Sequence, residues 1–175
     1  ETGITMKDLT YRIDNIILHE NQIIEDQLSR NRVEILRGRA AFVDPNRIVI
    51  DSNGSVSIKT ADYFVIAVGT RPYHPEGFEV DGDKILDSDD ILTIENLPRS
   101  LTVVGGGIIG CEYASMFAVL GVKVTLIEAR DRMLNFVDRE IVESLKYHMR
   151  NLGITLRINE EVLNVSRRKD GQVVT

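Results

Sequence analysis

A run of glycines between a β-branched segment and a helix-like segment constrains the fold of this chain most. The stretch reads TVVGGGIIGCEYASMF from Thr102 to Phe117. Gly105, Gly107 and Gly110 have the spacing GxGxxG, which joins a strand to a helix in βαβ units. There the first glycine permits a tight turn, the second lets a pyrophosphate approach the backbone, and the third lets helix and strand pack closely. The stretch therefore predicts an anion site at a helix N-terminus.

The segments around these glycines alternate between strand and helix patterns. Apolar runs and helix-ending glycines predict strands at 101–104, 123–127 and 154–158 and helices at 108–120 and 138–151. This βαβαβ order is typical of an α/β domain with a parallel sheet. The last stretch, EVLNVSRRKDGQVVT, predicts a hairpin that turns at residues 170–171.

The first part of the chain has a different organisation. Apolar residues at helical spacing predict one long helix from Met6 to Asn31, with Thr5 and Asp8 as a variant of the capping box. Short β-rich runs follow, at 33–36, at 40–43 and on both sides of Asn53 and Gly54, and they predict a small antiparallel meander. The meander precedes an apolar run and a connector.

An apolar run and a connector follow the meander. The run DYFVIAVGT at 62–70 is closed by a glycine, which is typical of a strand buried on both faces of a parallel sheet. Residues 71–90 are rich in Pro, Gly and Asp and are predicted to be a connector. We expect a domain boundary near Pro98.

Composition narrows the class of protein. The 175 residues are 43% hydrophobic and carry a net charge of −6, which opposes a nucleic-acid partner. The single cysteine excludes an internal disulfide framework and a Cys-based metal cluster, so no metal is expected. No long apolar run or basic leader predicts a membrane span or a secretory signal, so we expect a cytoplasmic protein without a membrane partner.

An acid at the end of the next predicted strand strengthens the dinucleotide hypothesis. Glu128 closes the run VKVTLIE, where a carboxylate accepts hydrogen bonds from the hydroxyls of an adenosine ribose. The alternative is a solvated acid at a strand end. Arg130 and Arg132 follow, and either could reach a 2′-phosphate or be a solvated loop residue.

Other polar residues near the glycines have weaker interpretations. Glu112 is placed in the first helical turn, where an acid stabilises the helix dipole. The alternative is that Glu112 contacts a polar group further along the dinucleotide, such as the carboxamide of the nicotinamide. Cys111 is predicted to be a small packing residue. We assign no catalytic role to His19, His74 or His148, because no Ser, Cys or carboxylate stands at a spacing that indicates a catalytic pair with any of them.

Two ordered motifs resemble a known family. The stretch VVGGGIIGCEYASMFAVLGVKVTLIEARDRML resembles the NAD(P)-binding domain of the flavoprotein pyridine nucleotide-disulfide oxidoreductases. DYFVIAVGTRPYHP resembles the second FAD-binding motif of that family. Within it, VGTRPYHP, ILDSDDIL, RDRML and LKYHMRNLGI most closely resemble the soluble NAD(P) transhydrogenase branch. This resemblance implies an FAD enzyme that passes hydride from NADPH to NAD through the flavin.

The resemblance implies a set of cofactor-binding residues. The nicotinamide dinucleotide would be held by Gly105, Gly106, Gly107, Ile108, Ile109, Gly110, Glu112, Glu128 and Arg130, with Glu112 near the nicotinamide and the flavin and Glu128 on the ribose. The ADP half of FAD would be lined by Ala40, Val68, Gly69 and Thr70. None of these is assigned a catalytic role.

Departures from the family pattern bear on cofactor choice. Val68 and Thr70 stand where a threonine and a serine are usual. Glu128 matches relatives that use NAD, and Ala129 and Asn135 occupy two positions where relatives specific for NADP have arginines. We therefore expect a preference for NAD without exclusion of NADP.

The resemblance also implies that the chain is part of a longer protein. Residues 1–97 would be the later part of an FAD-binding domain with a connector, and residues 98–175 the first part of an NAD(P)-binding domain. We expect the longer protein to be an enzyme and a homo-oligomer, and these 175 residues alone to be inactive. Two alternatives stay open: a flavoprotein like dihydrolipoamide dehydrogenase, which Glu128 favours, and a non-catalytic dinucleotide-binding module that senses redox state.

Overall fold

The computed structural model of the chain describes residues 6–167 and 173–174, and only the backbone of residues 7–9 and 174. These residues form two compact units: residues 13–71 make one, and the rest make the other. The helices are α1 (Met6–Arg30), α2 (Ile108–Val119), α3 (Arg139–Asn151) and a short 3-10 helix (Asp90–Thr93). The strands are β1 (Arg39–Asp44), β2 (Arg47–Ser52), β3 (Ser55–Thr60), β4 (Ser100–Val104), β5 (Lys123–Glu128), β6 (Thr155–Ile158), β7 (Ser166–Arg167) and β8 (Val173–Val174).

The unit of residues 13–71 contains the predicted meander. Strands β1, β2 and β3 pair antiparallel in that order, with Ala40 opposite Ile50. The hairpin between β2 and β3 turns at Asn53 and Gly54, whose φ angles of 54° and 91° are both positive, as a tight hairpin turn requires. Ile50, in the middle strand β2, is buried. The meander and its turn are confirmed.

Two predicted strands in this unit are wrong. Residues 62–70 are irregular, and Tyr63, Val65 and Val68 are 92%, 92% and 88% exposed. Residues 33–36 are irregular and exposed as well. The reason is that a strand is stable only when neighbouring strands accept and donate its backbone hydrogen bonds, and none of the described strands pairs with either segment.

The second unit contains the predicted α/β arrangement. Strands β4, β5 and β6 form a parallel sheet, with Val103 opposite Leu126 and Leu126 opposite Leu156. Leu126 is completely buried, and the core around the sheet includes Phe117 and Val142 from the two helices. Strands and helices thus alternate in the predicted βαβαβ order, and the α/β class is confirmed.

The ends of the elements agree closely with the sequence. The long helix ends at Arg30, one residue before the predicted end. The side chain of Asp138 caps α3 by accepting a hydrogen bond from the backbone N–H of Glu140. Strands β7 and β8 pair antiparallel as the hairpin requires. The predicted turn at 170–171 and the cap at Thr5 lie outside the described residues.

The two compact units part at residue 72, inside the predicted connector. The assignment of residues 1–97 and 98–175 to two cofactor-binding domains therefore stays a prediction. Within residues 6–167 and 173–174, no helix is both long and apolar enough to cross a membrane. The same residues contain no group of His, Cys, Asp and Glu side chains that could hold a metal ion.

Candidate functional site

The glycine turn between β4 and α2 brings the backbone of the helix against the backbone of the loop. Gly105 has a φ of +107°, and its N–H donates to the carbonyl of Ile127 over 2.8 Å. A Cβ atom at Gly110 would lie 2.0 Å from the carbonyl oxygen of Gly105. Only glycine fits at position 110, because any side chain would overlap the loop. The first and third motif glycines therefore have the structural roles that their spacing predicts.

The N-terminus of α2 is open. Gly107 is the N-cap residue, and a Cβ atom there would meet nothing within 4 Å. The first N–H groups of a helix have no acceptor within it, and no side chain caps them here. Ile108 and Ile109 are both more than half exposed. The free N–H groups and the positive end of the helix dipole thus face an accessible surface, which fits a pyrophosphate group.

A buried carboxylate fixes the glycine turn from below. The N–H of Gly106 donates to Oε2 of Glu128 over 2.7 Å. A Cβ atom at Gly106 would come within 2.8 Å of the Cγ atom of Met133, which is completely buried. The carbonyl of Gly106 accepts from the N–H of Leu134 over 3.1 Å. The loop after β5 and the glycine turn therefore form one hydrogen-bonded layer.

Glu128 is paired with Arg130 across the short loop after β5. Oε1 of Glu128 accepts from the backbone N–H and from Nε of Arg130, and Oε2 accepts from Nη2, each over 2.8 Å. Glu128 is 3% exposed, so it is not a solvated acid. The side-chain hydrogen bonds of Arg130 outweigh the effect of burial and, with the two backbone N–H groups, lower the pKa of Glu128 to about 2. The group is ionised at neutral pH.

The second arginine of the loop has a different partner. The guanidinium group of Arg132 donates to the carbonyl oxygen of Asn135, whereas that of Arg130 contacts Glu128. The structure thus brings Gly106, Glu128 and Arg130 together. The predicted cofactor-binding set named Arg130 and not Arg132, and the role of Arg130 in binding a dinucleotide stays a prediction.

Glu112 differs from its predicted placement. Since α2 begins at Ile108, this residue lies in the second turn, and the first turn of the helix contains no acid. The dipole effect decreases within the first turn, so the interpretation of Glu112 as an acid that stabilises the helix start is wrong. Its side chain is exposed. A role near the nicotinamide stays a prediction.

Cys111 lies in the core below the same helix. It is 5% exposed and belongs to the main hydrophobic cluster. Burial, and after it the charges of Glu128 and Glu112, raises the pKa of its thiol to about 11. The thiol is therefore protonated at neutral pH, as expected for a packing residue.

One polar contact was missed by sequence analysis. Nε2 of His74 lies 2.8 Å from Oδ2 of Asp87 in the predicted connector. The N–H of Asp90, and after it His74, lowers the pKa of Asp87. Asp87 also accepts from the N–H of Asp89, so the pair fixes the turn before the 3-10 helix. The only signal for it is the acidic run LDSDDIL, which is typical of turn capping in general.

The residues predicted to line FAD are exposed in the described part of the chain. Ala40 is exposed on β1, and Val68, Gly69 and Thr70 are exposed in the irregular segment. The residue before Ala40, Arg39, lines an open cleft of about 500 Å³. The other residues that line this cleft are Arg37, Gly38, Asp51, Ser52 and Asn53. A role for these four residues in binding FAD stays a prediction.

Together, the parallel strands, the open helix N-terminus and the carboxylate at the end of β5 define a dinucleotide-binding βαβ fold. The chain belongs to the pyridine nucleotide-disulphide oxidoreductase family, which it matches over residues 5–175. Membership implies that the protein binds FAD and a nicotinamide dinucleotide. The glycine turn fits the second of these groups, because Gly107 leaves open space beside uncapped N–H groups.

Curated relatives share a common description. The chain is 47% identical over 174 residues to the soluble pyridine nucleotide transhydrogenase of Mycobacterium bovis (strain BCG / Pasteur 1173P2). The match covers 98% of this chain and 37% of that protein. It is 44% identical over 168 residues to the soluble pyridine nucleotide transhydrogenase of Shigella boydii. This match covers 95% of this chain and 36% of that protein. The chain thus spans little more than a third of the length of these relatives.

Solved structures show the same fold. The structure of LpdA (Rv3303c) from Mycobacterium tuberculosis matches with a TM-score of 0.86 and 26% identity, over 98% of this chain and 40% of that one. The HOCl-induced flavoprotein disulfide reductase RclA from Escherichia coli matches with a TM-score of 0.71 and 26% identity, over 96% of this chain and 41% of that one.

Proposed function

We propose that the protein containing this chain is an FAD-dependent enzyme that transfers hydride between NADPH and NAD. The observation that carries the proposal is the 47% identity, over 98% of the chain, to a soluble pyridine nucleotide transhydrogenase. The glycine turn and the buried Glu128 support it, because they supply an anion site and a ribose acceptor in one unit.

The residues of this chain bind and orient the nicotinamide dinucleotide. The N–H groups at the start of α2, next to Gly107, bind its pyrophosphate. Glu128 accepts hydrogen bonds from the adenosine ribose, and Glu112 lies further along α2 to contact the nicotinamide end. The flavin and the nicotinamide supply the hydride chemistry, whereas the protein supplies geometry and charge.

The first unit contributes to the flavin site. Ala40, Val68, Gly69 and Thr70 bind the ADP half of FAD in this proposal. Their exposure leaves their surfaces available to a ligand or to further parts of the protein.

We also propose that the protein is cytoplasmic and a homo-oligomer. Light scattering after size-exclusion chromatography tests the oligomeric state, and a mass equal to one subunit would contradict it.

Rapid mixing of the full-length protein tests the proposed reaction. Under anaerobic conditions, NADPH should bleach the flavin absorbance, and subsequent addition of NAD should restore it while NADH forms. A flavin that NADPH does not reduce excludes the activity and favours the non-catalytic module. A flavin that is reduced by NADPH but not reoxidised by NAD excludes transfer between the two dinucleotides.

A second candidate is a flavoprotein disulfide reductase, and dihydrolipoamide dehydrogenase is the form that Glu128 favours. The match to the E. coli protein described as a flavoprotein disulfide reductase supports this candidate. Such a reaction requires a pair of cysteines, and the 175 residues contain one. Reduction of lipoamide by NADH at a rate above that of NAD reduction by NADPH would favour this candidate over the first.

A further inference from the structure

The carboxylate of Glu128 has no vacant position for a ribose in this structure. An ionised carboxylate offers about four lone-pair sites. The N–H of Gly106 and three groups of Arg130, namely its N–H, Nε and Nη2, donate to the two oxygens of Glu128. Glu128 is also 3% exposed. A ribose hydroxyl therefore reaches the carboxylate only if one of these donors leaves.

The guanidinium group of Arg130 is the donor that can leave. The two backbone donors are fixed, since the carbonyl of Gly106 accepts from Leu134 and the carbonyl of Arg130 accepts from Asn159. The side chain of Arg130, by contrast, is 49% exposed and rotates without moving the backbone. When it leaves, Glu128 keeps two backbone N–H donors, so the buried charge stays partly satisfied.

We propose that Arg130 determines cofactor specificity by competing with the ribose for Glu128. A 2′-phosphate accepts the displaced guanidinium in a charge-assisted pair, so a dinucleotide that carries it regains the contact that Glu128 loses. A 2′-hydroxyl offers no such partner, so a dinucleotide without the phosphate must replace the guanidinium on Glu128 with its own hydroxyl donors. Arg130 therefore favours the phosphorylated ligand and disfavours the other. This inference rests on the proposed binding of a nicotinamide dinucleotide at this site.

The proposal explains how one site binds both dinucleotides. A bare carboxylate would repel a 2′-phosphate, but here Glu128 is presented as a neutral pair with Arg130. The nearby acid of the next loop, Glu160, is itself paired with Arg157 over 2.6 Å. Both of these acids are thus paired with an arginine, and rotation of the Arg130 side chain changes which ligand is favoured.

Equilibrium binding of two adenine nucleotides to the full-length protein tests the proposal. Adenosine 5′-phosphate and adenosine 2′,5′-bisphosphate differ only in the 2′-phosphate, and neither reduces the flavin. Arg130→Ala should weaken binding of the bisphosphate about tenfold, since it removes one charge-assisted contact, and should strengthen binding of the 5′-phosphate several-fold. Isothermal titration calorimetry measures both.

Two further variants separate specificity from structure. Arg132→Ala is the matched control, because that guanidinium contacts Asn135, and its ratio of the two affinities should equal that of the unmodified protein. Arg130→Lys keeps the charge but not the two-point contact, and should give a ratio between those of Arg130→Ala and the unmodified protein. It also serves if Arg130→Ala loses flavin or fails to fold.

The outcomes are distinguishable. Equal weakening of both ligands by the Arg130 variants would assign the residue a purely structural role and overturn the proposal. Unchanged affinities would also overturn it, while hydride transfer from NADPH to NAD by the same preparation would leave the proposed function standing. If the unmodified protein binds neither nucleotide, the adenosine site at Glu128 is wrong and this proposal falls, whereas hydride transfer from NADPH to NAD still decides the proposed function.

Discussion

The Cβ position of Gly110 lies 2.0 Å from the carbonyl oxygen of Gly105, whereas that of Gly107 meets nothing within 4 Å. Two glycines of one motif are therefore needed for different reasons. One permits close packing of α2 on the turn, and the other keeps space free at the helix N-terminus. Alanine substitutions should separate these reasons, because one changes stability and the other changes ligand binding.

We expect Gly110→Ala to destabilise the chain. The added methyl group overlaps the backbone of Gly105, so α2 must move away from the turn, at a loss of about 1–3 kcal/mol or more in the free energy of unfolding. Chemical denaturation of the 175-residue chain measures this loss. A variant as stable as the unmodified chain would contradict the close contact.

We expect Gly107→Ala to leave the free energy of unfolding nearly unchanged. Its φ of −79° suits any residue, and the methyl group meets no atom. In the full-length protein the same group occupies the space that a pyrophosphate needs, so affinity for ADP-ribose should fall about tenfold, or about 1.4 kcal/mol. Calorimetry measures this affinity. Undiminished binding of ADP-ribose would show that the pyrophosphate lies elsewhere.

The stability of the chain should depend on pH through Glu128. The pKa of this group is 4.5 ordinarily and about 2 in the fold. Because the folded value is the lower one, its contribution is fully present above the ordinary pKa and is lost as the pH falls towards 2. The difference corresponds to about 3 kcal/mol.

Glu128→Gln isolates this contribution. The free energy of unfolding of the unmodified chain should fall more steeply with acid than that of the variant, so the difference between them shrinks below about pH 4.5. Other carboxylates titrate equally in both chains. Glu143→Gln, at an exposed site on α3, is the control and should show a much smaller change. Parallel curves for the unmodified chain and Glu128→Gln would mean that the buried pair does not form.

Cys111 should resist modification by thiol reagents in the folded chain. Its thiol is 5% exposed and its pKa is raised to about 11, so little thiolate is present near neutral pH and reagents cannot reach it. Modification by a disulfide reagent in native buffer should be much slower than in denaturant, where the pKa returns to its ordinary value. Labelling followed by mass spectrometry measures both rates, and equal rates would place the thiol at the surface.

The 175-residue chain should purify without colour. The residues proposed to bind FAD are exposed, and Val68 lies in an irregular segment in which it is 88% exposed. The one glycine-rich turn of the GxGxxG type in this sequence is proposed to bind the nicotinamide dinucleotide and not FAD. Flavin bound in equal amount to the purified chain, measured by its absorbance, would show that these contacts suffice.

Local patterns predicted most of the elements, because their signals are contained in short segments. Asn53 and Gly54 identify a hairpin wherever the flanking strands are, and Asp138 caps a helix that starts beside it. The prediction of a strand at 62–70 was wrong, because its apolar pattern is typical of a strand buried between neighbouring strands, and no described strand pairs with this segment. A pattern of that kind depends on distant parts of a protein.

The candidate site was predictable only in part for a similar reason. The spacing of the glycines and Glu128 predicted that the turn and the acid lie together, since it reflects the βαβ geometry itself. The contact between Arg130 and Glu128 was not predictable, because a loop arginine can adopt many conformations and Arg132 had the same sequence signal. Only coordinates distinguish the arginine that contacts the carboxylate from the one that contacts a backbone carbonyl.

The bond from Gly106 to Glu128 restricts how cofactor preference can evolve in this fold. If Glu128 binds the ribose as proposed, a substitution there would alter recognition and also release the turn that the carboxylate holds, so selection for another dinucleotide would meet a loss of folding stability at the first mutational step. Loss of the Arg130 guanidinium group also weakens the satisfaction of the buried carboxylate, but two backbone N–H groups still donate to Glu128 and the bond to the turn persists. Divergence in cofactor use among proteins with this arrangement should therefore begin at the arginine and reach the acid later.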